Sequence, residues 1–222
     1  MTDFGDTVGE SIGAGNVDGP PWLKFIEMGL EMRRSQFVEL GAPPRQVVFL
    51  GDSITEGCQW SEWFPQLPTL NRGIGGDTVA ALSARVETAI NDPIAISVLI
   101  GTNDLGGGFP GWEQPLTDPR IIAESFDGLV AKIRSLAPQT PLIINSVMPR
   151  EEKFAPSIIA LNEHYRRIAS RAQAQYVDLW PAFADGQVIK SEYSLDLLHL
   201  NGPGYRAWIE QLTPVLEGIT QL

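Results

Sequence analysis

The feature that most constrains this chain is a series of short, almost wholly apolar runs. They are Val47-Val48-Phe49-Leu50, Ile96-Ser97-Val98-Leu99-Ile100, Leu142 to Val147 and Tyr176 to Leu179. A strand built from such a run has no regularly polar face to show to water, so both of its faces must be covered, which is the condition of a parallel sheet between helices. The stretch around Leu70 supplies a shorter fifth candidate. Apolar residues recur at helical spacing over about 78–90, 119–136, 157–174 and 203–216. An earlier helix runs from Trp22 to about Leu40 on Leu23, Ile26, Leu30 and Phe37, and Gly41-Ala42-Pro43-Pro44 stops it. Asp77 and Asp118 stand at N-cap positions, and Pro203 suits a first helical turn. Strands alternating with helices predict a three-layer α/β/α sandwich around a central, about five-stranded parallel sheet. Residues 1–20, rich in Gly and Asp, read as a polar arm, and 21–222 as a single domain.

Composition narrows the function. Sixteen basic against 27 acidic residues give a net charge of -11, a field that repels nucleic acid and anionic membrane surfaces. One cysteine, Cys58, leaves no internal disulfide, and two histidines, His164 and His199, make a multi-histidine metal centre a poor expectation. We therefore expect no metal and no cofactor. The first residues lack a basic, apolar leader and no run approaches a membrane span, so the expectation is a soluble, cytoplasmic protein.

In open parallel sheets ligands bind beyond the carboxyl ends of the strands. Three segments follow strands, Gly51-Asp52-Ser53-Ile54, Asn71 to Asp77 with Gly73-Ile74-Gly75-Gly76, and Gly101-Thr102-Asn103-Asp104, and a fourth, Asp196-Leu197-Leu198-His199, stands near the last helix. They hold a hydroxyl, paired glycines, a side-chain amide, and a carboxylate three residues before an imidazole. Those are the parts for acyl transfer: a nucleophile, oxyanion donors, a base and its orienter. Gly51-Asp52-Ser53 alone is a common turn sequence, and Thr55 in place of a second glycine separates it from the Gly-x-Ser-x-Gly elbow.

Together the four blocks, in this order from Gly51 to Gly204, resemble the SGNH hydrolases, also called GDSL-type esterases and lipases. Ile54 stands where that family usually has Leu, and Leu197 where Gly commonly follows the Asp. The resemblance implies a flavodoxin-like SGNH fold and a carboxylic ester hydrolase. It also implies Ser53 as nucleophile, His199 as base, Asp196 as its orienter, and an oxyanion hole from Ser53, Gly76 and Asn103. Asn71 to Asp77 looks most like the branch that contains the platelet-activating-factor acetylhydrolase subunits, a pointer to small acyl groups. Carbohydrate O-acetylesterase, lysophospholipase and thioesterase activities occur in the same family.

The remaining residues have plainer readings. His164 lies in a charged helical stretch and reads as a surface histidine. Asp77 reads as a helix cap, Asp52 and Asp104 as loop-shaping groups, and Cys58 as structural. Trp60 and Trp63 after the first block, and Phe109 and Trp112 after the third, are candidates to line a substrate pocket. The segment from Leu105 to Thr117 is too short for a lid helix with hinges, so acyl chains of about two to six carbons are expected. A reading of another class is a flavodoxin-like module, with Gly51 to Gly57 cradling a phosphate or flavin, although Asp52 and Glu56 would repel an anion there. The partner expected is a small ester, and a homo-oligomer stays open.

Overall fold

Every residue of the first strand, Val47–Gly51, is buried, and its side chains divide between two separate cores. Val48 and Leu50 belong to one, Val47 and Phe49 to the other, as the two-residue period of a strand covered on both faces requires. The computed structural model describes residues 21–107 and 116–220. In chain order these form α1 (Pro21–Leu40), β1 (Val47–Gly51), α2 (Ser53–Glu56), α3 (Trp60–Trp63), β2 (Thr69–Gly73), α4 (Val79–Arg85), β3 (Ala95–Leu99) and α5 (Pro119–Leu136). They continue as β4 (Leu142–Asn145), α6 (Ala155–Arg171), β5 (Gln175–Val177), α7 (Trp180–Phe183), the short strands β6 (Ala184–Asp185) and β7 (Val188–Ile189), and α8 (Gly202–Thr220).

The sheet has the order β2-β1-β3-β4-β5 with all neighbours parallel. One core gathers Leu82 of α4, Phe126 and Leu129 of α5, and Ile158 and Tyr165 of α6. The other gathers Ile54, Trp60, Phe183 and Leu212, from α2, α3, α7 and α8. The architecture is the expected α/β/α sandwich. β6 and β7 form a two-stranded antiparallel hairpin that the sequence reading did not anticipate, because four residues carry no usable period.

Chain direction switches at β1, which has β2 on one side and β3 on the other. Register makes the switch point a level platform: Gly51 pairs with Gly73 and with Leu99. The loops after β1, β2 and β3 therefore leave the sheet side by side, in the crevice where such folds bind ligands.

One cap differs from expectation. Thr78, not Asp77, caps α4, its hydroxyl accepting the Ala81 N–H. Asp77 is fully buried instead, between the guanidinium groups of Arg34 at 3.0 Å and Arg85 at 2.6 Å. Two neighbouring arginines give its charge a better partner than a helix start does. Asp118 caps α5 as expected, accepting the Arg120 N–H ahead of Pro119. α1 behaves unlike the other long helices. Phe37 near its end is buried, whereas Phe25 is 73% and Met32 58% exposed.

Candidate active site

Ser53 is the first residue of α2, set there by a turn that the sheet makes tight. Asp52 caps the helix, its Oδ1 accepting the Ile54 N–H at 3.0 Å. A phosphate at this helix start would have to occupy the place the Asp52 carboxylate already takes, which disfavours the anion-cradle alternative. Asp52 is only 1% exposed and its Oδ2 has no hydrogen-bond partner. Burial, reinforced by the charges of Asp77 and Asp104 and opposed by the Ile54 N–H, pushes its carboxyl up to about 7.

The loop before α8 brings the histidine to this serine. His199 Nε2 lies 3.0 Å from Ser53 Oγ, and His199 Nδ1 lies 2.7 Å from Asp196 Oδ2. Asp196 Oδ1 accepts the His199 N–H at 2.7 Å, the Leu198 N–H at 3.0 Å and the Ser194 hydroxyl at 3.2 Å. Partial burial pushes the Asp196 carboxyl up, but the hydrogen bonds from the His199 ring and from the two amides outweigh it and hold it at about 2. An ionised carboxylate only accepts, so Nδ1 carries the ring proton and Nε2 turns its lone pair to the Ser53 hydroxyl. Leu197 occupies a left-handed conformation with φ of 63°, the position where glycine is favoured. His164 sits half-buried on α6, far along the chain from any of these groups.

Ser53, Gly76 and Asn103 line one groove. The Ser53 N–H, at the start of α2, belongs to the helix-start amides that have no intrahelical acceptor. Gly76 adopts φ of 71° and is exposed, a conformation that favours glycine. Asn103 Nδ2 donates one hydrogen to the Asp77 carbonyl at 2.9 Å, which fixes the amide and leaves its second N–H unspent. Asp104 shapes this loop from below, its two oxygens accepting the Val79 N–H at 3.1 and 3.0 Å. Burial, against that hydrogen bond, raises its carboxyl to about 6.

Two cavities adjoin these residues. A groove of about 620 Å³ contains Ser53, Gly75, Gly76, Asn103 and His199, with apolar walls from Ile26 and Leu30 of α1 and from Ile121 and Ile122 of α5. A second space, of about 10 Å³, is lined by Asp52, Ile54, Thr102, Met148 and Leu198. Leu198 borders both.

The structure does not bring Trp60 or Trp63 here. Trp60 is 2% exposed, stacked on Phe49 with ring centres 3.6 Å apart, and donates its indole N–H to the Thr55 carbonyl. Trp63 packs against the same core, and neither belongs to the groove lining. α3 lays the Trp60 ring on Phe49 of β1 and edge-on to Trp208 of α8, which takes it out of the groove. Phe109 and Trp112 lie outside the described residues, as do residues 1–20, read from sequence as a polar arm. The sequence reading missed the groove residues Ile26, Leu30, Ser125 and Arg150. Arg150 is buried, stacks on Phe154 at 4.0 Å, and donates to the Thr102 and Gly106 carbonyls that flank Asn103. Cys58 is buried in the second core, and burial pushes its thiol up to about 12. Among the described residues, no group of three or more His, Cys, Asp or Glu side chains could hold a metal, and no helix is long and apolar enough to cross a membrane.

With this geometry in place, comparison with known proteins is direct. The GDSL-like lipase/acylhydrolase family matches residues 49–207. The chain belongs to that family. This GDSL acylhydrolase is a carboxylic ester hydrolase, and its matched span contains Ser53, Gly76, Asn103, Asp196 and His199. It is 30% identical over 172 residues to the platelet-activating factor acetylhydrolase IB subunit alpha2 of Rattus norvegicus, covering 72% of this chain and 70% of the relative. It is 28% identical over 193 residues to the alpha1 subunit of Bos taurus, covering 80% and 74%. Among solved structures, a GDSL-like lipase from Bacteroides thetaiotaomicron superposes with a TM-score of 0.66 at 22% identity, covering 85% of this acylhydrolase and 97% of its own chain. The acetyl-xylooligosaccharide esterase Axe2 mutant from Geobacillus gives 0.62 at 19%, covering 76% and 92%. At these identities the two structures speak for the fold. The family match leaves α1 outside, although α1 supplies one wall of the groove.

Proposed function

We propose that this acylhydrolase is a serine esterase for short-chain carboxylic esters, working through an acyl-serine intermediate. The observation that carries the reading is the continuous chain from Ser53 Oγ through His199 to Asp196 beside donors that are still unspent. In the first half-reaction Ser53 Oγ bonds to the ester carbonyl carbon while His199 Nε2 takes the hydroxyl proton. The carbonyl π pair moves onto oxygen, where the Ser53 and Gly76 N–H groups and the Asn103 amide receive the charge. The ester C–O bond then breaks, and the alcohol leaves with the proton from His199. Water repeats the sequence on the acyl-serine and releases the acid. Asp196 stays ionised throughout, holding the ring in the productive tautomer.

The smaller space, about 10 Å³, holds no more than about one water molecule, so both the acyl and the alcohol part of the ester belong to the groove of about 620 Å³ beside Ser53. The acetylhydrolase names of the relatives support a small acyl group.

Diethyl p-nitrophenyl phosphate should inactivate the enzyme with one equivalent bound, mapped to Ser53 by mass spectrometry. Modification elsewhere with loss of activity would refute the nucleophile. Across acetate, butyrate, hexanoate, octanoate and laurate esters, kcat/KM should peak at two to six carbons. Each added methylene gains at most about 0.8 kcal/mol, and only where apolar room exists. A maximum at octanoate or beyond would refute the short-chain preference.

A further inference from the structure

The proposed oxyanion donor Gly76 follows a residue whose own amide is already held, and by an unusual partner. Gly75 N–H donates to Glu56 Oε2 at 2.6 Å. Glu56 is the last residue of α2, the four-residue helix that Ser53 begins. Its other oxygen lies 3.2 Å from Arg33 Nε, and that same Nε donates to the Gly73 carbonyl at 2.8 Å. Arg33 belongs to α1. A glutamate and an arginine thus grip the Gly73–Gly75 segment at both ends, one from the nucleophile's own helix and one from the helix that walls the groove.

Packing is tightest at Gly73. A β-carbon at Gly73 would strike the Glu56 main chain. One at Gly75 would lie 3.4 Å from Glu56 Oε2, 3.4 Å from Leu30 and 3.8 Å from Ser53 Cβ. Asn71 adds a second tie, donating to the Glu56 carbonyl at 2.9 Å and accepting the Gly73 N–H at 2.9 Å. Glycine-rich turns are conformationally loose, and a donor aimed at a developing charge is effective only when it is held in place beforehand. A carboxylate near a developing oxyanion also works against it, so its charge needs a counter-ion.

We infer that Glu56 and Arg33 are positioning residues for the oxyanion donor: Glu56 fixes the Gly75–Gly76 turn relative to Ser53, and Arg33 of α1 neutralises Glu56. This rests on the esterase reading above. α1 is then part of the catalytic framework, although it lies outside the family's matched span.

The test measures kcat and KM with p-nitrophenyl acetate, together with Tm, for Glu56→Ala, Glu56→Gln, Arg33→Ala and the double variant Arg33→Ala/Glu56→Gln. Glu56→Ala should lower kcat by about 10- to 100-fold with KM within about threefold, as for a lost transition-state interaction. The amide oxygen of Glu56→Gln still accepts the Gly75 N–H, so kcat should stay within about fivefold of the parent. Arg33→Ala should lower kcat by about tenfold in the parent, where it uncovers the carboxylate charge, and by much less in the Glu56→Gln background. A kcat within twofold for Glu56→Ala would overturn the inference. Equal damage by Ala and Gln, or an Arg33 effect of the same size in both backgrounds, would do so too. If Glu56→Ala does not fold, the Arg33 and Glu56→Gln cycle decides alone. Ser53→Ala separates the two levels: activity surviving in it refutes the esterase reading, whereas its loss beside unaffected Glu56 variants refutes only the positioning role.

Discussion

The turn that carries Ser53 and the loop that carries His199 meet in one site but are built on opposite terms. Gly51 and Asp52 are buried, locked to the sheet register and the start of α2. In the other loop Leu195 is 92% exposed, and the His199 and Asp196 side chains are 37% and 47% exposed. Asp52 in the one and Asp196 in the other are driven apart by their environments: Asp52 is pushed up to about 7, Asp196 is held at about 2. Ser53, the proposed nucleophile, is fixed by packing, whereas His199, the proposed base, is fixed by hydrogen bonds to a single exposed carboxylate. Carboxylates with identical side chains can thus shape a turn in one place and orient a ring in another, and desolvation against hydrogen bonding decides which.

The largest effect that can break this contrast is loss of the proposed base. His199→Ala should lower kcat by about 10⁴-fold or more, and His164→Ala should change it less than twofold. Because His199 is reachable from solvent, added imidazole should restore part of the lost rate in His199→Ala and none in Ser53→Ala. Rescue of neither would mean that the loop closes over the base. Asp196→Asn should cost roughly 10²–10⁴-fold in kcat through the wrong ring tautomer, and an unchanged rate would remove Asp196 from its orienting role.

A stability measurement then sharpens the comparison of the two carboxyls. Asp52 holds its proton in the folded protein up to about pH 7, against an ordinary 3.8. Its contribution to stability is therefore complete below about pH 4 and is lost as pH rises to about 7. Asp52→Asn cannot ionise, so its Tm should gain on the parent between pH 5 and pH 8, by up to a few kcal/mol in free energy. Asp196, held low, has the opposite sign: its contribution is present above about pH 4 and is lost as pH falls toward 2. A Tm gap for Asp52→Asn that moves in the parent's favour over pH 5 to 8 would show that the turn requires a charge. The smallest effect is expected at Leu197. Leu197→Gly relieves a left-handed conformation worth about 1–2 kcal/mol but gives up packing against the second core. The net change in stability should be within about 1 kcal/mol, with activity kept.

Sequence made the layers legible because buried parallel strands must be apolar on both faces, and the runs at 47–50, 96–100 and 142–147 have no other use. Elements too short to show a period, such as α7 and the β6–β7 hairpin, left no trace. Asp77 was misread for an instructive reason. Its cap signal was genuine but belonged to its neighbour Thr78, and only the fold brings Arg34 and Arg85 to the aspartate. The residues proposed for chemistry were legible as four short blocks because their side-chain chemistry is rare in combination. The groove walls were not, since Ile26, Leu30 and Ile122 look like any core residue until topology places them. Trp60 and Trp63 misled in the opposite direction: they are near Ser53 in sequence, yet they pack with the second core and not in the groove.

One consequence reaches beyond the chemistry of the site. Cys58 is the sole cysteine of the chain, and it is buried with its thiol pushed up to about 12, a state in which thiolate and reagent rarely meet. The protein therefore offers a silent background for thiol-directed probes without any prior cysteine removal. A cysteine placed at Met32, 58% exposed on α1, would take a fluorophore or spin label alone. From there the label would report motion of the groove wall while the enzyme turns over.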